Sequence, residues 1–254
     1  MVKMRLIPVA VVCCLAACSS GDDPLPTTTS TIATTIPVVT APPPNLTEAY
    51  FESLASSPAS EQAAVSSAMP GSDASIYAEH QAVARDLLGL VSPRPVVARG
   101  RGFEICDSND ACNTFDAVVA DPATGQVTSF SIDSVALKGR IVGGGLVADQ
   151  DGVVARVRSA YRSTDGDVSL LVEIDNTTEV TVEMFGFASV LEQGVSGESV
   201  ETTGAWGNGM VEPGMIVDLL LAFPSTGLAG ELRLSGLRSD GLDISLAVRV
   251  PAPG

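Results

Sequence analysis

The chain has 254 residues, with 30 acidic side chains against 14 basic ones, one histidine and a formal net charge of −16. A surface this acidic repels nucleic acid phosphates and anionic lipid headgroups. The composition therefore excludes nucleic acid as a partner, and it excludes lipid headgroups unless a covalent anchor holds the chain at a membrane.

The N-terminal segment has the features of an export signal. A short basic start precedes an apolar run, Leu6 to Leu15, which is too short to span a bilayer as a helix. The run ends in Leu15-Ala16-Ala17-Cys18, and small residues before a cleavage point are typical of a secretory signal. An ordinary cleaved signal with an incidental cysteine is the alternative to the more specific interpretation that follows.

Those four residues resemble the Leu-small-small-Cys pattern of bacterial lipoproteins. The resemblance implies a signal peptide over residues 1–17 and a lipid, palmitate included, on Cys18 as the first residue of the mature chain. It also implies an extracytoplasmic location, with the lipid on Cys18 anchoring the chain to the bacterial cell membrane. The scarcity of lysine beside arginine resembles the bias of a high-G+C genome such as that of an actinobacterium.

Residues 18–44 have the composition of a tether. They are rich in threonine and proline, as in Thr27-Thr28-Thr29 and Pro42-Pro43-Pro44, and they show no hydrophobic periodicity. Such a segment cannot bury enough apolar surface to fold, and its prolines favour an extended chain. We expect a disordered spacer that holds a folded domain away from the membrane.

Residues 45–142 predict an α+β domain, with helices first and an antiparallel meander after them. Asn45 with Glu48 has the spacing of a capping box, Ser57-Pro58 is typical of a second helix start, and Ser72 or Asp73 begins a third helix that ends near Gly89. After residue 95 the apolar period changes to two, which indicates strands. The predicted strands are 95–100, 102–106, 113–120, 126–133 and 135–142.

The single histidine, His80, lies on the apolar stripe of the third predicted helix. A general base or a metal ligand is the functional interpretation. The sequence favours a buried or edge histidine bonded to backbone, because a metal site needs several converging ligands.

Cys106 and Cys112 are the two cysteines beyond Cys18. In an oxidising compartment a disulfide is the default for such a pair. The acidic residues between them suggest a calcium-binding loop. An EF-hand loop that began at Asp107 would need glycine at residue 112 and glutamate at residue 118, and this sequence has neither. A disulfide-closed hairpin is therefore expected, and no metal site.

Gly143-Gly144-Gly145 suggests a hinge, and residues 150–251 beyond it show a strand pattern throughout. The predicted strands are 153–161, 167–175, 179–191, 215–223, 231–237 and 243–250. Short alternating strands separated by turn signals predict an antiparallel β-sandwich of about seven strands, which we expect to fold without the first region. The fold class expected for the whole chain is mainly β, with an α+β N-terminal part.

Several landmarks of this second region resemble a known family. A strand ends in Ile174-Asp175-Asn176-Thr177, the next carries Phe185 and Phe187, and Val211-Glu212-Pro213-Gly214 precedes an apolar strand that ends in Phe223-Pro224. This is similar to the telokin-like, immunoglobulin-like domain of Gram-positive lipoproteins, whose function is unassigned. The resemblance implies an immunoglobulin-like sandwich with Pro213-Gly214 in a turn and Asn176 at a position where asparagine tolerates left-handed backbone, and it implies no catalytic residue.

Trp206 is the only tryptophan, and the glycines around it predict a loop at one end of the sandwich. It either caps the core or stands exposed as an anchor for a partner. The sequence favours the cap, because large aromatic side chains usually bury most of their surface.

The function expected from these features is that of a membrane-anchored binding or envelope-interaction module, with an envelope protein or a glycan as its partner. No catalytic residue and no cofactor is predicted. The alternative is an extracytoplasmic hydrolase or a metal-handling protein. It lacks a convergent set of residues, because only His80 could serve as a histidine base and no Gly-x-Ser-x-Gly motif is present.

Overall fold

The structure is a computed structural model that describes residues 45–107, 110–194 and 197–254, and of residues 58–62 the backbone only. The expected signal peptide, Cys18 and the expected tether lie outside the described residues. The described part begins with three helices, α1 (Leu46–Ala55), α2 (Pro58–Ser67) and α3 (Asp73–Leu87).

The three helices begin where the sequence predicts. The Asn45 side chain accepts the Glu48 N–H at the start of α1, and the Ser72 side chain accepts the Ser75 N–H at the start of α3. Pro58 occupies the first turn of α2, where its missing N–H costs no hydrogen bond. Side-chain caps thus mark the starts of α1 and α3, and a proline in the first turn marks the start of α2.

The first sheet is an antiparallel meander of five strands whose spatial order is their chain order. The strands are β1 (Val96–Arg99), β2 (Gly102–Cys106), β3 (Cys112–Ala120), β4 (Val127–Ile132) and β5 (Val135–Ala136). Phe51 of α1 packs against this sheet, with its ring stacked on Phe103 at 4.5 Å and edge-to-face with Phe130 at 5.5 Å between centroids. The predicted α+β arrangement of the N-terminal part is confirmed.

The rest of the described chain forms two further antiparallel sheets. Their strands are β6 (Ile141–Gly143), β7 (Val147–Gln150), β8 (Val153–Arg162), β9 (Val168–Asn176), β10 (Val182–Met184), β11 (Val190–Gln193), β12 (Ser199–Glu201), β13 (Gly204–Trp206), β14 (Met210–Val211), β15 (Ile216–Phe223), β16 (Gly230–Arg238) and β17 (Asp243–Val250). We call the sheet of β13-β15-β9-β8, with β6 and β7 both paired to β8, the helix-side sheet. We call the other the far sheet. Its strand β16 pairs with β17 on one side and with β10 and β11 on the other. Strand β12 pairs with β11, and β14 pairs with β10.

The two sheets enclose one hydrophobic core, to which alternate residues of each strand contribute. Val168, Leu170, Val172 and Ile174 of β9 lie in this core, as the alternation of β9 predicts. The strand order β8-β9-β15-β13 over β17-β16-β11-β12 corresponds to the A-B-E-D and G-F-C-C′ sheets of an immunoglobulin-like sandwich. The predicted fold class, mainly β with a C-terminal sandwich, is confirmed.

Two predicted strands are wrong in detail. The strand expected over residues 135–142 divides into β5 and β6, and β6 pairs with β8 in the helix-side sheet. The boundary expected between residues 142 and 150 therefore falls inside a sheet. The strand expected over residues 179–191 is interrupted by a 3₁₀ turn at Gly186–Ala188, where a Cβ on Gly186 would lie 2.8 Å from the Ala205 Cβ.

Helix α3 joins the two regions. It lies against β6, β8, β9 and β15, on the outer face of the helix-side sheet. Leu171 and Leu220 are buried on this face and lie outside the core between the sheets. The described residues accordingly form one compact unit. Within the residues that the structure describes, every helix is too short or too polar to cross a membrane.

Candidate functional site

Trp206 ends the edge strand β13 of the helix-side sheet. Ala205 packs against the core between the sheets, and side chains alternate along a strand, so Trp206 lies on the outer face that α3 also occupies. Its side chain is 38% exposed. The predicted loop is therefore wrong, since residues 204–206 are paired with β15. The predicted core cap is wrong as well, because the indole is outside the core.

Gly204 provides the surface on which the indole rests. A Cβ on residue 204 would lie 2.2 Å from Cη2 of Trp206 and 2.7 Å from its Cζ3, closer than real Cβ atoms come to their neighbours. The six-membered ring thus folds back over the backbone of its own strand. Contact on one side and solvent on the other give the indole a defined position without burying it.

A row of side chains connects Trp206 with the part of the sheet beneath α3. The register places Trp206 opposite Leu220, Leu220 opposite Leu171, and Leu171 opposite Ser159. Leu171 and Leu220 are buried, so only the edge of this row is accessible to a partner. Trp206 is that edge.

An ion-pair network lies beside the same row. Arg158 donates from its Nη1 to the Asp218 carboxylate, with the nearer oxygen at 3.0 Å, and from its Nη2 to Glu79 on α3. Burial alone lowers the pKa of Arg158, but the hydrogen bond to Glu79 and the charge of Asp218 outweigh it and raise that pKa. Arg158 therefore stays charged and fixes α3 to the sheet close to Trp206.

Two phenylalanines complete the exposed aromatic residues of the described chain. Phe187 is 74% exposed and Phe185 is also exposed, while the other described aromatic side chains are buried or half-buried. A Cβ on Gly186, in the turn that carries Phe187, would lie 2.8 Å from the Ala205 Cβ and 3.5 Å from Leu221, on the core-facing side of β13. This turn and the indole of Trp206 thus lie on opposite sides of β13.

His80 is buried between α3 and the helix-side sheet. Its Nδ1 is 2.8 Å from Ser159 Oγ and its Nε2 is 2.8 Å from Ser169 Oγ. Burial lowers its pKa to about 4, so the ring is neutral at neutral pH, with one nitrogen donating and the other accepting. The expectation of a buried histidine is confirmed, but its partners are serine hydroxyls and not backbone.

This arrangement around His80 differs from a catalytic triad. A triad histidine needs a carboxylate on one nitrogen and a nucleophile on the other, whereas both nitrogens of His80 meet hydroxyls in the interior. Its role in the described structure is to satisfy the polar groups at a helix–sheet contact.

Cys106 and Cys112 form a disulfide between the paired strands β2 and β3, with their Cα atoms 3.9 Å apart. The predicted disulfide is confirmed. Glu104 and these two sulfurs are the one cluster of metal-type ligands among the described residues. Because both sulfurs are bonded to each other, they offer no thiolate to a metal ion.

Comparison with protein-family models finds no match for this chain. Comparison with curated proteins finds no match either. Its function is therefore argued from the described residues, which present an exposed, positioned aromatic side chain on the edge of a sandwich. Cys18 lies outside them, so its lipidation stays a prediction.

Sequence reasoning missed Gly204 and Arg158. A signal for Gly204 exists, because a glycine two residues before a tryptophan on a strand shares its face and leaves room for the ring. Arg158 carries no such local signal, since its partners are far away in the sequence.

The family landmarks have mixed outcomes. Gly214 has a φ of +71°, as the predicted Pro213-Gly214 turn requires. Asn176 is not among the residues with positive φ, so the structure does not use its tolerance of left-handed backbone. Its buried side-chain amide instead donates to the Val180 and Val211 carbonyls, which joins the end of β9 to β14.

Proposed function

We propose that the chain is a membrane-anchored extracytoplasmic lipoprotein that acts as a binding or envelope-interaction module. Trp206 is the centre of its contact surface, and the partner is an envelope protein or a glycan. The observation that carries this proposal is the half-exposed indole that Gly204 holds on the outer face of the sandwich edge.

A positioned tryptophan suits binding for two reasons. Tryptophan is over-represented among the residues that dominate binding energy, because one ring buries a large area in a partner. A side chain that is already held in place loses less conformational freedom on binding than a mobile one. The contact with Gly204 holds the Trp206 ring in place before binding, and the exposed face of the ring is the area that a partner can bury.

The proposed lipid anchor is supported by features of the sequence. Leu15-Ala16-Ala17-Cys18 supports lipidation, and the threonine- and proline-rich segment after it supports a spacer between the membrane and the folded unit. The resemblance of the sandwich to telokin-like domains of lipoproteins supports the same proposal. The acidic surface favours a lipid anchor over direct attraction to anionic headgroups.

The anchor is tested by the variant Cys18→Ala. We expect the unchanged chain to partition into the detergent phase of cell extracts, and the variant to appear in the aqueous phase or the medium, or to stall in processing. Detergent-phase partitioning of the variant equal to that of the unchanged chain would refute the lipid anchor.

The binding function is tested by cross-linking in intact cells followed by purification of the chain. We expect a discrete adduct with the unchanged chain and a strong loss of that adduct with Trp206→Ala. Phe187→Ala is the matched control, because it removes an exposed aromatic ring carried by the turn on the other side of β13. Equal adducts from all three chains would show that Trp206 is not the contact residue.

A further inference from the structure

The outer face of the far sheet carries a second accessible row of side chains, on the side of the sandwich away from α3. The register aligns Met210 of β14 with Glu183 of β10, Glu183 with Leu237 of β16, and Leu237 with Asp243 of β17. The neighbours Val211, Val182, Gly236 and Ile244 are buried, which places all four row residues on the outer face.

The row alternates apolar and acidic side chains across four strands. Met210 is 47% exposed and Leu237 is 37% exposed. They border a shallow groove of about 310 Å³, whose rim includes Glu183 and Glu212. These two exposed apolar side chains beside one groove give a partner apolar surface to contact, and methionine adapts to varied partner shapes.

The two carboxylates of the row, Glu183 and Asp243, have no ion-pair partner among the described residues. The one arginine of the groove, Arg238, is paired with Asp240 at 2.7 Å. The whole chain has a net charge of −16, so long-range attraction also favours a cationic partner.

The spacing of the row indicates the conformation of that partner. Neighbouring strands are about 4.8 Å apart, so the two apolar side chains of the row are about 10 Å apart, with a carboxylate between them. In an α-helix, residues i and i+7 are about 10 Å apart and residues i+3 and i+4 lie between them. Same-face side chains of an extended strand are about 6.6 Å apart, which does not match the row.

We propose that this face binds a helix of a protein partner, laid across the strands, in which apolar and basic residues alternate along one face. Apolar residues at i and i+7 contact Met210 and Leu237, and lysine or arginine at i+3 or i+4 and at i+10 or i+11 pairs with Glu183 and Asp243. This surface is separate from the one around Trp206, so either can fail without the other.

Two synthetic peptides of identical composition test the proposal with the full chain. One has leucine at i and i+7 and lysine at i+3, i+4, i+10 and i+11 of an alanine-rich helix, and the other has the same residues scrambled. Binding is measured by calorimetry at physiological salt. We expect the ordered peptide to bind at least about ten-fold more tightly than the scrambled one.

Matched variants locate the site. We expect Glu183→Gln to weaken binding of the ordered peptide about ten-fold. Met210→Ala or Leu237→Ala should weaken binding of the ordered peptide without affecting binding of the scrambled one. Glu201→Gln removes the same charge from the outer face of β12 in the same sheet, and it should leave binding nearly unchanged. Equal binding of the two peptides, equal effects of Glu183→Gln and Glu201→Gln, or no binding of the ordered peptide would each overturn the proposal.

Discussion

The indole of Trp206 rests on Gly204, two residues earlier in the same edge strand. A Cβ on residue 204 would lie 2.2 Å from the Trp206 Cη2 and less than 3 Å from Cζ3 as well. Because the φ of Gly204 is not in the left-handed region, the backbone would accept a larger residue there. Only the indole excludes it, so the glycine is required for the position of the tryptophan.

A double-mutant cycle tests this contact. We expect Gly204→Ala to lower the free energy of unfolding by about 1 kcal/mol, the low end for an overpacked site, because the indole must leave its position. In the Trp206→Ala background the same change should cost much less, since nothing then occupies the space. Urea denaturation of the four chains measures both values.

Gly194→Ala is the control for this cycle. No heavy atom lies within 4 Å of the place a Cβ on residue 194 would take, and its φ is not positive. Its cost should be small and equal with and without Trp206. Equal costs of Gly204→Ala in the two backgrounds would show that the indole does not rest on Gly204.

The fluorescence of the only tryptophan reports its exposure. We expect emission of the folded chain at a wavelength between those of buried and fully hydrated indole, with clear quenching by acrylamide. We also expect Trp206→Ala to cost about 1 kcal/mol or less, because surface substitutions away from the core cost little. A core cap would instead give blue-shifted, poorly quenched emission and a loss of about 3 kcal/mol or more.

The sequence predicted what local chemistry determines. The helix starts at Asn45 and Ser72 follow from capping groups within three residues of each other, and the alternation of β9 follows from burial of one face. The disulfide followed from cysteine count and compartment. Each of these features depends on neighbours in the sequence or on composition.

Features that depend on distant contacts were not predicted. The division between β5 and β6 results from the pairing of Ile141 with Tyr161, and Trp206 joins a strand because β15 pairs with it. The docking of α3 through Arg158 and His80 joins residues 79 or more positions apart. No local pattern records such contacts, so the face on which Trp206 lies was not predictable.

His80 makes the stability of the folded unit depend on pH. Its pKa is about 4 in the folded chain against 6.5 for an ordinary histidine, so the unfolded chain binds the proton more readily. The contribution of His80 is therefore complete above pH 6.5 and is lost as the pH falls towards 4. The loss amounts to about 3 kcal/mol in total.

The variant His80→Gln isolates this contribution. It keeps a hydrogen-bonding side chain near Ser159 and Ser169 and removes the titrating group. Free energies of unfolding measured between pH 7 and 4 should fall more steeply for the unchanged chain than for the variant. Parallel pH profiles would mean that His80 is not the buried titrating group described here.

The Cys106–Cys112 disulfide closes a short hairpin. The chain-entropy estimate for so short a loop is about 2 kcal/mol, so reduction should lower the melting temperature moderately without unfolding the sandwich. Cys106→Ser with Cys112→Ser should melt like the reduced chain and should not respond to reductant. Peptide mapping of the purified protein under non-reducing conditions checks the bond itself, and two free thiols there would contradict it.

Binding of the chain to isolated cell envelopes tests the proposed module most directly. Cys18→Ala protein lacks the thiol that we propose carries the lipid, so any sedimentation with envelopes reports the folded unit and not a lipid. We expect saturable binding that Trp206→Ala weakens by about ten-fold or more and that Gly204→Ala also weakens although the tryptophan is still present. Phe187→Ala should bind like its parent. Envelope binding that is absent, or that is the same with and without the Trp206 ring, would contradict a binding function centred on that residue.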